Sequence, residues 1–130
     1  MLPEPDISYL AARWPGHTIT QEGASVIVVL AGYELPAGFQ PRHVDLCLML
    51  PFGFPETQPD MFWANPTVTL HGRPPAATEI TQQIIGRTWQ RFSRHLPAGA
   101  WRPGIDNLQS WVSMIGTMLE REATRERIAA

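Results

Sequence analysis

The chain has 130 residues, a hydrophobic fraction of 44% and a formal net charge of −2. That size allows one domain around a single core, and the charge gives no global field that would draw nucleic acid or anionic lipid. No apolar run is long enough to span a bilayer, the acidic, proline-containing start MLPEPDISYL is unlike a secretory signal, and the lone Cys47 forbids an internal disulfide, so the expected compartment is the cytoplasm, with neither nucleic acid nor membrane as partner.

Pro5 to Arg13 reads as a short helix. Asp6 can cap it, Ile7, Leu10 and Ala11 form one face, and Trp14-Pro15-Gly16 stops it. His17 to Gln21 reads as a first strand, with a turn at Glu22-Gly23. Ser25 to Ala31 (SVIVVLA) is β-branched and apolar, as a buried strand would be. Gly32 to Pro41 is expected to be a loop. In the strand His43 to Leu50, Val44, Leu46, Leu48 and Leu50 share one face, and His43, Asp45, Cys47 and Met49 share the other. Pro51 to Pro59 (PFGFPETQP) breaks that strand. Asp60–Ala64 and Thr67–Leu70 follow as short extended pieces split by Asn65-Pro66.

Pro74 to Phe92 is assigned to a helix: Ile80, Ile84 and Phe92 fall near helical spacing and Thr78 can cap it, although Gly86 weakens the pattern. From Asp106 the helical signal is clear. Leu108, Trp111, Val112, Ile115, Met118 and Leu119 make a core-facing stripe behind an Asp N-cap, and the charged run EREATRER is expected to be a solvated helical end. This order implies a single α+β domain over residues 1–130. A roughly four-stranded antiparallel meander, covered on one face, is backed by an N-terminal and a C-terminal helix.

The chemistry concentrates in Trp89 to Pro103, WQRFSRHLPAGAWRP. Ser93 stands beside His95 and among Arg87, Arg91 and Arg94, and eight residues later comes the Trp-x-Pro step Trp101-Arg102-Pro103. Upstream, Leu50-Pro51, Phe54-Pro55 and Pro59 lock the exit from a strand, and Phe62-Trp63 opens the next. In this order the chain resembles the ubiquitin-conjugating (E2-type, UBC-like) superfamily, in which a catalytic cysteine precedes a Trp-Ser-Pro step by about the same interval. Trp89-x-x-Phe92-Ser93-Arg94-His95 is most similar to the bacterial group called prokaryotic E2 family E. The resemblance covers roughly residues 5 to 125. It departs from the eukaryotic pattern in four ways. No His-Pro-Asn motif precedes the nucleophile position, the Pro55–Ser93 interval is longer, the chain ends just after the Asp106 helix where a further helical pair is expected, and serine replaces the thiol.

The resemblance implies a carrier in a bacterial ubiquitin-like conjugation pathway, with an E1-like activating enzyme, a ubiquitin-like modifier and a deconjugating peptidase as partners. The modifier C-terminus would rest on Ser93 as an oxyester. A serine hydroxyl is a weak nucleophile and needs a base. His95 can supply one, because i and i+2 share a face in an extended segment, and His71 can if the 71–92 flap folds back. Arg91 and Arg94 would stabilise the oxyanion or hold a partner surface, with Trp101 supporting. The alternative is a catalytically inactive pseudo-E2 adaptor that binds the modifier or the E1-like enzyme without forming a bond. A third reading is an unrelated binding domain.

Cys47, the rival nucleophile, lies mid-strand in an apolar run, where cysteines behave as small hydrophobes. Asn65 and Asn107 could replace the missing oxyanion amide, or could serve the turn and the helix start where they stand. The four His and Cys47 show no zinc-type spacing, and no phosphate-binding glycine loop is present, so neither a metal nor a cofactor is expected. All ten basic residues are Arg. A guanidinium stays protonated and does not intercept activated acyl groups as a lysine amine would. GC-rich codon usage gives the same composition.

Overall fold

The computed structural model describes residues 2–129, with side-chain burial to residue 125. Helix α1 (Glu4–Arg13) precedes β1 (Thr18–Glu22), β2 (Ser25–Glu34), β3 (Phe39–Gln40), β4 (His43–Leu50), β5 (Phe62–Asn65), β6 (Thr69–Leu70), β7 (Thr81–Ile84) and β8 (Arg87–Phe92). Helix α2 (Leu108–Ala129) follows. Strands pair in the order β1-β2-β4-β5-β8-β7, all antiparallel, and β3 with β6 makes a separate two-stranded ribbon. The α+β architecture between two helices matches the expectation. The sheet has six strands rather than about four.

Period-two alternation sorts the side chains. Val28 and Leu30 of β2, Val44, Leu46, Leu48 and Leu50 of β4, Phe62 and Ala64 of β5, and Phe92 of β8 face the helices. There they pack on Leu10 of α1 and Leu108, Trp111, Ile115 and Leu119 of α2. The other face is not bare: Ile27, Val29, Cys47, Trp63, Ile84 and Trp89 form a second buried cluster. The expectation of a sheet covered on one face is corrected accordingly.

The helix expected over Pro74–Phe92 is instead the β7–β8 hairpin. Gln82 pairs with Trp89 and Ile84 with Arg87, leaving Ile85-Gly86 as a two-residue turn. Both turn residues have positive φ, 46° and 75°, which suits a hairpin turn and cannot continue a right-handed helix. The Thr78 hydroxyl donates to the Pro75 carbonyl at 2.6 Å, closing a turn rather than capping a helix.

Three helix-end details also differ. Asp6 does not cap α1, which begins behind Pro3 without a side-chain cap. It is buried, and its Oδ1 accepts the Leu108 N–H at 3.3 Å, joining α1 to the start of α2. Burial raises its pKa, partly offset by that backbone donor. At α2 it is Asn107 rather than Asp106 that caps: its Oδ1 accepts the Ser110 N–H at 3.0 Å and its own N–H donates to Ser110 Oγ at 2.9 Å. Asp106 Oδ2 accepts the Arg102 N–H at 2.7 Å and closes the preceding turn. The charged end of α2 is not wholly solvated, since Glu122 and Ala123 are buried. The side chains beyond residue 125 lie outside the described residues. No described helix is long and apolar enough to cross a membrane.

Candidate functional site

Ser93 follows the last residue of β8, at the end of the sheet where the Pro51–Asp60 segment enters β5. The chain alternates through this point. Phe92 points into the main core, Arg94 reaches α2, and Leu96 packs against the core. Ser93, half-buried, and His95, exposed, therefore fall on the opposite side. Among the described residues no hydrogen bond engages the Ser93 hydroxyl.

Neighbouring backbone holds the segment on both edges. The Ser93 N–H donates to the Ala77 carbonyl and the Met61 N–H to the Arg94 carbonyl, each at 3.1 Å. The second bond is one residue out of step with the Phe62–Phe92 pair of the ladder, so the regular β5–β8 pairing ends here. Ala77 and Met61 both have positive φ, 54° and 61°. Non-glycine residues in that region cost on order of 1–3 kcal/mol each and gather where surrounding structure imposes a special geometry.

Arg94 forms a two-pronged ion pair with Glu122 of α2, Nε–Oε2 at 2.6 Å and Nη2–Oε1 at 2.7 Å, with both side chains about nine-tenths buried. Its guanidinium also lies 5.2 Å from the Phe92 ring centroid. Arg94 therefore anchors the segment to α2. Arg91, also close by in sequence, has a buried Nε without a hydrogen-bond partner. Arg87 bonds Asp45 at 2.9 Å and Asn65 at 3.1 Å. Asn65 in turn donates to the Thr88 carbonyl, so its amide serves the sheet.

His95 Nδ1 lies 2.8 Å from Asp60 Oδ1. Asp60, 35 residues away in the chain, carries no local sequence signal of that contact. His71 is elsewhere: its Nε2 is 3.3 Å from the Ala123 carbonyl of α2, and its ring lies where a Cβ on Gly38 would be, 2.5 Å from Cε1. Trp101 is buried, donates from Nε1 to the Pro55 carbonyl at 2.9 Å, and packs on Phe54 and Trp111. The Trp-x-Pro step thus pins the Phe54-Pro55 corner to α2. Cys47 has no exposed surface, and burial pushes its thiol up to about 12.

Ser93 lines neither of the two grooves described. One, about 890 Å³, runs between α1 and α2 past Trp14, Tyr33 and Arg121, and the other borders Phe52. Ser93 instead sits, half-buried, at the rim of the sheet's end.

A curled antiparallel sheet set between an N-terminal helix and a helix entered through a Trp-x-Pro corner defines a UBC-like, E2-type fold. The chain belongs to prokaryotic E2 family E, whose family model matches residues 2–122. No curated protein and no solved structure matches it.

Proposed function

We propose that this protein is an acyl carrier in a prokaryotic ubiquitin-like conjugation pathway, receiving the modifier C-terminus from an E1-like enzyme as an oxyester on Ser93. The observation that carries this reading is the half-buried Ser93, whose hydroxyl no described hydrogen bond engages, at the position where the resemblance to E2-type enzymes implies the nucleophile. Two strained backbone residues flank it, and His95 lies on the same side of the chain. His95 acts as the base. Arg91 is the cation left for the oxyanion or a partner surface, since Arg94 is committed to Glu122. Trp101 holds the corner beside the site.

A second reading, an adaptor that binds modifier or activating enzyme without a bond, is favoured by one observation: no hydrogen bond joins His95 to Ser93 among the described residues. An ATP-dependent charging assay with the cognate E1-like enzyme and modifier separates the two. The carrier gives an adduct that resists thiol reductant, breaks in alkaline hydroxylamine, persists in Cys47→Ala and disappears in Ser93→Ala. Association of the three proteins without any adduct would leave the adaptor.

A further inference from the structure

Asp60 has a place in the site that the serine alone does not explain. An ionised carboxylate can only accept hydrogen bonds, so across the 2.8 Å contact His95 Nδ1 is the donor, and in the neutral ring Nε2 is then the acceptor. The backbone fixes the pair. Met61, next to Asp60, bonds the carbonyl of Arg94, next to His95, and the positive φ of Met61 turns the chain at that point. Arg94 is in turn tied to α2 through Glu122. Ser93 and His95, two residues apart in extended chain, have Cα atoms about 6–7 Å apart on one side.

We propose that Asp60 is a positioning residue that holds His95 in the Nδ1–H tautomer, completing an Asp60–His95–Ser93 relay that accepts an acyl group from a thioester. The proposal rests on Ser93 being the acceptor. As Ser93 Oγ attacks the thioester carbonyl carbon, His95 Nε2 takes the hydroxyl proton. The Oγ–C bond forms, the C–S bond breaks, and the departing thiolate takes the proton from Nε2. The donor is a thioester on a cysteine of the E1-like enzyme. Asp60 carries the charge opposite the transient imidazolium and never takes the proton itself.

The Asp60 and His95 side chains are 48% and 63% exposed, and in open water such a pair contributes little. A protein donor docked over the rim excludes that water and strengthens the pair. Removal of Asp60 therefore slows transfer from a protein donor more than from a small ester.

Two acyl donors test the relay: p-nitrophenyl acetate, followed by the mass of the Ser93 peptide, and the modifier-loaded E1-like enzyme. Each is run on wild type, Asp60→Asn, Asp60→Glu and His95→Gln, with the His95 tautomer read by ¹⁵N NMR. Asp60→Asn is expected to slow acetylation several-fold and protein transfer about tenfold or more, to add nothing in a His95→Gln background, and to be partly rescued by Asp60→Glu. Equal rates for Asp60→Asn and wild type with both donors, or an Nε2–H tautomer in the wild type, overturns the relay. Charging by modifier that is independent of Asp60 removes the relay and leaves the carrier. Asp60-dependent acetylation of Ser93 without modifier charging leaves the relay and removes the carrier. No acylation of Ser93 by either donor removes both.

Discussion

Cys47 sits in the middle of β4 among Ile27, Val29, Trp63, Ile84 and Trp89, on the sheet face away from both helices. Desolvation raises its thiol to about 12 against an ordinary 9.0, with Arg87 pulling the other way and Glu22 adding to the rise. A thiolate is what attacks, so a thiol that stays protonated and enclosed is inert. Ser93 has weaker intrinsic chemistry but is only half-buried, at the end of the sheet. The burial of Cys47 has a thermodynamic signature. A raised folded-state pKa means that the unfolded chain releases its proton first, so the stabilising contribution is intact below pH 9 and is lost as pH rises through the window from about 9 to about 12. The loss approaches about 1.4 kcal/mol per pH unit inside that window. Tyr33, raised chiefly by burial, adds a slope of the same sign at higher pH. Urea midpoints of wild type and Cys47→Ala between pH 8 and pH 10.5 are expected to converge as pH rises. Parallel curves would contradict the assignment.

Between elements, the Arg94–Glu122 pair couples the site segment to α2. The pair is about nine-tenths buried, two-pronged and geometrically good, which makes breaking it costly: removal of one partner from a buried pair costs about 3–5 kcal/mol because the other charge is left behind. Arg94→Ala is expected to lower stability by about that amount, and Arg94→Met with Glu122→Met by much less, in denaturant melts of the three proteins. An Arg94→Ala cost within the range of an exposed pair, about 0–1 kcal/mol, would show that the coupling is absent. The partner of Arg94 was not legible in the sequence. EREATRER reads as a solvated run because nothing local shows that Glu122 turns inward. β2 and β4 were legible because their apolar residues alternate or crowd in β-branched runs. The β7–β8 hairpin was not. Its Gln82, Gln83 and Gln90 hide the period of two, and Ile80 and Ile84 fall near helical spacing with Phe92. The turn at Ile85-Gly86 also places a β-branched residue where Asn or Asp is usual. At the site the Ser93–His95 spacing could be read directly, whereas Asp60 arrives only through the fold.

For the whole molecule, the site lies at the end of the sheet where β4 finishes and β5 begins, while Arg42 lies at the opposite end, where β4 starts. No lysine occurs anywhere in the chain. For an oxyester carrier this has a direct consequence: amines attack esters readily when held close, because tethering raises the effective concentration to millimolar and above. A lysine near Ser93 would convert a transferable ester into a dead-end amide, while a distant one would not. Ala76 provides the test. It is exposed and precedes Ala77, whose carbonyl accepts the Ser93 N–H, so a lysine there can reach the rim without disturbing the core. In the charging reaction, Ala76→Lys is expected to turn most of the adduct resistant to alkaline hydroxylamine, with the modifier mapped to residue 76 by mass spectrometry. Arg42→Lys, at the far end of β4, is expected to leave the adduct hydroxylamine-labile on Ser93. The double variant Ala76→Lys with Ser93→Ala is expected to give no adduct, because the amine takes the acyl group from the serine and not from the E1-like enzyme. An amide that forms without Ser93 would mean that the donor loads any nearby amine, and the absence of lysine would then owe nothing to ester chemistry.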